Sequence, residues 1–310
     1  MSANPNEGRV SFVGAGPGAV DLITIRGAAR LAAADIVIWA SSLVPRELLD
    51  HCRSGVETYD SATMTLEDVL RMFDQNRTAS IVRLHSGDPS LYGAVQEQVD
   101  WCRLNGREFE IVPGVTSISA AAAEIGRELT IPKRGQALVY TRLPGRTSAS
   151  MGDNEDVAAF SSHGSTMAIL LSGARPDELQ DDLLMTGSGY TPSTPAVVIV
   201  RATWPDQQIV HTTVGELANA MRSTNATMTV LVLVGDSLDP TPVTTRSHLY
   251  DPEYTTAYRL RSVDGSTEGR ASNRRTPGMM ADTENMRDQP APQRSADRSQ
   301  DGRPSPETMG

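Results

Sequence analysis

The chain has 310 residues, 39% of them hydrophobic and 21% charged, with a formal net charge of −10. That acidity argues against a nucleic-acid or anionic-membrane partner, either of which calls for a basic surface. Two cysteines, Cys52 and Cys102, without paired or metal-ligand spacing fit a reducing cytoplasm, and no apolar run is long enough to span a bilayer.

A strand is predicted over residues 9–13, running into the loop Gly14-Ala15-Gly16-Pro17-Gly18-Ala19. Thr24 is the expected N-cap of a helix over 27–33, and 35–39 form a second apolar strand. Thr65 caps a helix over 66–73, with Asp68 at its third position. Residues 79–82 read as a buried strand feeding Arg83-Leu84-His85-Ser86-Gly87-Asp88-Pro89-Ser90-Leu91-Tyr92-Gly93, after which a helix runs over 94–104. Two glycines, a proline and an aspartate make this a rigid loop at the carboxyl end of a strand, where open α/β sheets place their ligands. A strand over 109–112 ends in Pro113-Gly114-Val115-Thr116-Ser117. A helix over 118–129 follows, and its alanines at 120–123 allow close packing.

Residues 131–135 look like the join to a second α/β unit. Its strands fall at 137–140, 167–171, 196–200 and 229–234, and 208–212 pairs with the strand before it. Helices over 176–185 and 214–222 fit between, and 144–155 read as a mobile loop. Strands alternating with helices predict an α/β protein of mostly parallel, wound sheets, with an N-terminal domain over 9–130 and a C-terminal domain over 135–245. Beyond residue 262 there is no aromatic residue and, after Val263, no Leu, Ile or Val. Residues 262–310 are therefore expected to be a disordered tail, with too little apolar surface to offset the entropy of ordering.

Residues 14–19 formally match the dinucleotide fingerprint, and Asp35 lies at the distance of a ribose ligand. In that motif the helix begins at the glycines, so that its amide groups face a pyrophosphate. Here Pro17 and Gly18 interrupt, and the helix starts only near Thr24. An NAD(P)-dependent oxidoreductase is thus the distant alternative.

Three motifs together, Val13-Gly14-Ala15-Gly16-Pro17-Gly18 with Asp21-Leu22-Ile23-Thr24, residues 83–93, and Val112-Pro113-Gly114-Val115-Thr116-Ser117, resemble the tetrapyrrole (corrin/porphyrin) methylase family over roughly residues 9–258. The resemblance implies two α/β domains with a cleft between them, a homodimer, and S-adenosyl-L-methionine as cofactor. It puts the cofactor on Pro17, Ser86, Gly87, Asp88, Leu91, Thr116, Ser117, Leu171, Ala202 and Val230. Further stretches (40–44, 60–67, 126–129 and 202–206) resemble members of the family that methylate C11 of precorrin-4 to give precorrin-5 in cobalamin biosynthesis. Cobalt-precorrin-4 of the anaerobic route, or another corrin ring carbon, are the alternatives within the family. Relatives acting on uroporphyrinogen III carry an aspartate where this chain has Ala40 and a lysine near Ala62, which argues against that first step.

His85 and Tyr92, flanking the central loop, and Arg134, among the few cations near strand ends, are candidates to touch the tetrapyrrole. Arg26, Lys133 and Arg142 are weaker ones. No side chain is assigned as a catalytic acid or base, because an in-line methyl transfer can rest on positioning alone. The histidines have no ligand spacing, so no protein-bound metal is expected.

Overall fold

The computed structural model describes residues 8–143, 151–152, 154–244, 247–251 and 254. Most of the loop expected at 144–155 and all of the tail expected at 262–310 lie outside the described residues. By its internal contacts the chain divides into two units, Met1–Thr245 and Arg246–Gly310. The described part of the second carries one helical turn, His248–Tyr250.

The first unit is built on two five-stranded sheets. β1 (Val10–Gly14), β2 (Ile36–Trp39), β3 (Glu57–Asp60), β4 (Ile81–His85) and β5 (Phe109–Val112) make the first, in the order β3-β2-β4-β1-β5. All four pairings are parallel. On one face, α2 (Leu66–Gln75) and α3 (Gln96–Leu104) bring Phe73, Val99 and Cys102 onto Phe12, Ile38 and Ile81. On the other, α1 (Ile25–Ala32) sets Leu31 against Val13, Val37 and Val82. The helix caps read from the sequence are present. Thr24 Oγ1 accepts from Gly27 N at 3.0 Å, and Thr65 and Asp68 form a reciprocal capping box. β3 has no apolar run to mark it, since Tyr59 is its one partly buried residue. As an edge strand it needs only one covered face.

β6 (Leu138–Arg142), β7 (Thr166–Leu170), β8 (Pro195–Val200), β9 (Gln208–Thr213) and β10 (Val230–Val234) make the second sheet, in the order β6-β7-β10-β8-β9. Only β6 and β7 pair in parallel; β7 with β10, β10 with β8, and β8 with β9 are antiparallel. This corrects the expectation of mostly parallel sheets in both halves. β8 and β10 are buried on both faces, and an unbroken apolar run carries no information about direction.

One face of this sheet is covered by α5 (Val157–Ser161), α6 (Pro176–Leu184) and α7 (Leu217–Ser223). The other receives α4 (Ser117–Glu124), which leaves β5 of the first sheet and lays Ile118 and Ala121 on Ala168, Val197, Ile199 and Leu231. In sequence α4 follows the first sheet; in packing it belongs to the core of the second. Its alanines are small enough for a helix to lie close on that face.

Candidate functional site

Because β1, β4 and β5 are adjacent and parallel, the loops that follow them leave from one edge. Each carries a glycine, and the three backbones pack directly on one another. A Cβ on Gly14 would lie 2.5 Å from Gly114 Cα and 2.7 Å from Gly87 O, and one on Gly114 only 2.1 Å from Gly87 O. Gly87 N donates to Gly16 O at 2.8 Å, and Gly16 N to Gly87 O at 3.2 Å. Asp88 fastens the arrangement: one carboxylate oxygen accepts from Gly114 N at 2.9 Å, the other from Ser90 N at 2.8 Å and from the Ser90 hydroxyl. Burial pulls this carboxyl upward, but the bonds from Ser90 and Gly114 prevail and hold its pKa below the ordinary value. Asp88 is a fixed anion joining two loops.

Beside these loops lies a cavity of about 410 Å³, within the range of small-molecule sites. The first-sheet loops supply Pro17, Ser86, Gly87, Asp88, Leu91, Tyr92, Thr116 and Ser117 to its wall. The second sheet supplies Leu170 and Leu171 at the end of β7, Ala202 after β8, and residues 227–231 at the start of β10. β10 runs against β7 and β8, so its amino end shares an edge with their carboxyl ends. Among the described residues no lysine or arginine lines the cavity, and Asp88 is the only carboxylate in its wall.

The backbone around it is strained. Of the nine non-glycine residues with left-handed φ among those described, Tyr92, Leu171 and Thr229 line the cavity, and Arg201 and Thr203 bracket Ala202. Such residues persist where a site holds them. Gly87 has φ +64°, and a Cβ there would meet no protein atom closer than 4.0 Å. The open side of that glycine is a cradle a side chain would fill.

The first glycine loop is not built for a pyrophosphate. Ala15 N donates to His85 O at 2.7 Å, Gly16 N is bonded to Gly87, and Ala19 N donates to Thr203 Oγ1 at 2.9 Å. Asp35 sits at the amino end of β2, where its carboxylate accepts from Ser80 N at 2.7 Å and pairs with Arg53. That is the wrong end of the strand for a ribose.

A model of the Tetrapyrrole (Corrin/Porphyrin) Methylases matches residues 9–218. The chain belongs to this family. A cobalt-precorrin-4 C(11)-methyltransferase of Methanocaldococcus jannaschii is 39% identical over 256 residues, 82% of this chain and 97% of that protein. A precorrin-4 C(11)-methyltransferase of a Sinorhizobium species is 37% identical over 254 residues, 81% and 98% of the two chains. Among solved structures, a cobalt precorrin-4 methyltransferase superposes with TM-score 0.71 at 40% identity, covering 75% of this chain and 96% of its own. A uroporphyrin-III C-methyl transferase from Thermus thermophilus complexed with S-adenyl homocysteine gives TM-score 0.61 at 26% identity, covering 75% and 94%.

In this methylase the ten residues that the family resemblance put on the cofactor all line the one cavity, and Tyr92 joins them. His85 and Arg134 do not. His85 shares a face of β4 with Ile81, so its ring packs 6.1 Å from that of Phe12 beneath the loop. Burial, followed by the charge of Arg83, drives its pKa down to about 3 and keeps it neutral. Arg134 reaches away from the cavity to Asp239 O at 2.8 Å and Thr241 Oγ1 at 2.7 Å. Arg26 is exposed on α1, whereas Arg142 is buried near Tyr92. Sequence reasoning missed Leu43, Tyr140 and residues 227–229. These lie on loops or strand faces whose place depends on how the two sheets meet, and no local pattern marks them. Among the described residues no group of three or more His, Cys, Asp or Glu could hold a metal ion.

Proposed function

We propose that this chain is an S-adenosyl-L-methionine-dependent C-methyltransferase that methylates C11 of precorrin-4, metal-free or bearing cobalt, in cobalamin biosynthesis. The observation that carries the reading is the convergence of ten residues, scattered from Pro17 to Val230, on one cavity. Its chemistry fits the cofactor: the described wall, with one carboxylate and no cation, accommodates a sulfonium and disfavours a phosphate. When bound, S-adenosyl-L-methionine supplies a methyl group carried on that sulfonium.

The protein's part is positioning. Residues 86–88 and 116–117 line the cavity, where the bare backbone of Gly87 lets a ligand approach closely. Apolar residues from the second sheet, among them Leu170, Ile199, Val230 and Leu231, exclude water from the path of transfer. With Asp88 tied to Gly114 and Ser90, and His85 neutral and turned away, neither is offered as a proton carrier. The electron-rich ring carbon is itself the nucleophile. A homodimer in the cytoplasm belongs to the same reading, in keeping with free thiols at Cys52 and Cys102. Among the described residues no helix is long and apolar enough to cross a membrane.

The test is incubation of the purified chain with isotopically labelled methyl donor and enzymatically generated precorrin-4, with and without cobalt in the ring. One labelled methyl at C11, located by NMR, is expected with one or both substrates. Label at another ring carbon would transfer the assignment to that position. S-adenosylhomocysteine binding without label on either substrate would overturn the substrate, and NADH binding in its place would overturn the class.

A further inference from the structure

The turn between β8 and β9, residues 201–207, crosses from the second sheet to the glycine loop of the first. Trp204 Nε1 donates to Pro17 O at 3.0 Å, and Thr203 Oγ1 accepts from Ala19 N at 2.9 Å. Gln207 donates to Glu124 at the end of α4, at 2.8 Å, and its other amide atom accepts from Thr203 N at 2.5 Å. The indole is held from behind by the Arg201 guanidinium, 4.0 Å from the ring centroid, which is itself paired with Asp206 at 2.7 Å. Arg201 and Thr203 adopt φ of +51° and +66°, so the turn is strained into this shape. Gly18 completes the fit: a Cβ there would stand 2.3 Å from Trp204 Cδ1. The third glycine of the loop is therefore room for an indole.

Both ends of this contact touch the cavity, since Pro17 accepts the indole bond and Ala202 lies two residues before it, and both are in the wall. Trp204 itself lines a second cavity, of about 460 Å³, with Trp39, Ser41 and Arg46. We infer that Trp204, seated on Gly18, is a positioning residue: it latches the second sheet to the glycine loop and so sets the spacing of Pro17 and Ala202 across the cofactor cavity. The inference rests on reading that cavity as the cofactor site.

A double-mutant cycle on the full chain tests it, with S-adenosylhomocysteine affinity measured by calorimetry and melting followed in the same preparations. Gly18→Ala is expected to weaken binding roughly tenfold while Trp204 is present, because the added methyl lifts the ring from the loop. In a Trp204→Ala background, already weakened to a similar extent, the same change should cost less than about twofold, since no ring remains to displace and only the Ala202 carbonyl, 3.0 Å from the added methyl, has to give. Trp204→Phe keeps a ring but not the N–H, and should fall between wild type and Trp204→Ala. In all of them KM for the methyl donor should rise with Kd, while turnover at saturating donor changes less than about threefold and melting stays within about 5 °C of wild type. Additive losses in the double variant, or unchanged affinity in Trp204→Ala, would overturn the latch. Should Gly18→Ala not fold, an unchanged Kd in Trp204→Phe overturns it equally. Failure of the wild-type chain to bind S-adenosylhomocysteine would instead remove the cofactor reading on which the latch depends.

Discussion

At Gly87 two physical demands coincide. Its φ of +64° is a region where a side chain costs roughly 1–2 kcal/mol, and its missing Cβ leaves open the space beside Ser86 and Thr116. Gly87→Ala should therefore lower the melting temperature modestly and weaken S-adenosylhomocysteine binding by more than the stability loss accounts for. Calorimetry and a thermal melt on one preparation compare the two, and unchanged affinity would place the ligand elsewhere. His85, two residues earlier, contributes to pH behaviour. Burial depresses its pKa from the ordinary 6.5 to about 3, so between those values the unfolded chain holds a proton that the folded chain does not. Stability from this residue is complete above pH 6.5 and is lost as pH falls toward 3, at no more than about 1.4 kcal/mol per pH unit. His85→Gln should flatten that part of the acid limb in chemical-denaturation curves; an unaltered slope would show that other groups set it.

At the scale of elements, the caps at Thr24 and Thr65 were legible in the sequence and the one at Thr116 was not named there, although each is a local match between one side chain and an amide three residues on. Thr65 and Thr116 illustrate the same chemistry in two settings. Thr65 opens α2 with a capping box, and Thr116 Oγ1 accepts from Ser119 N at 3.1 Å to open α4. Replacing either by alanine should cost about 1 kcal/mol. Only Thr116 lines the cavity, so only Thr116→Ala should also weaken S-adenosylhomocysteine binding. Equal affinities in two equally destabilised variants would detach α4 from the site. The strands were legible where both faces are buried, and β3 was not, since a half-covered edge of Glu-Thr-Tyr-Asp has no apolar run to read. Strand direction in the second sheet was equally hidden. It matters for the site, because the antiparallel course of β10 is what brings residues 227–231 to the cavity edge.

Across the whole molecule, the composition of residues 263–310 argues that the function resides in what precedes them. Truncation after Ser262 should leave melting within about 2 °C and S-adenosylhomocysteine affinity unchanged, since those residues have little apolar surface to contribute. A large loss of either would show that they dock. The way the two sheets meet is the feature least visible from the chain itself. α4 is written after β5 but packs on the second sheet, and the 201–207 turn returns the contact to the glycine loop. These two crossings, from opposite directions, fix the walls of one cavity.

The sequence by itself determined the α/β class, the caps, the buried strands and the three glycine-bearing loops, because each follows from side chains within a few residues of one another. Its motifs also carried the family and, through it, ten of the residues in the cavity wall. Only the tertiary structure decided that Gly14, Gly87 and Gly114 stand backbone to backbone, that Asp88 ties two loops together, and that His85 and Arg134 face away. It also decided that Gly18 makes room for Trp204. Each of these depends on which atoms from distant parts of the chain are brought within a few ångströms, and local propensity holds no record of that.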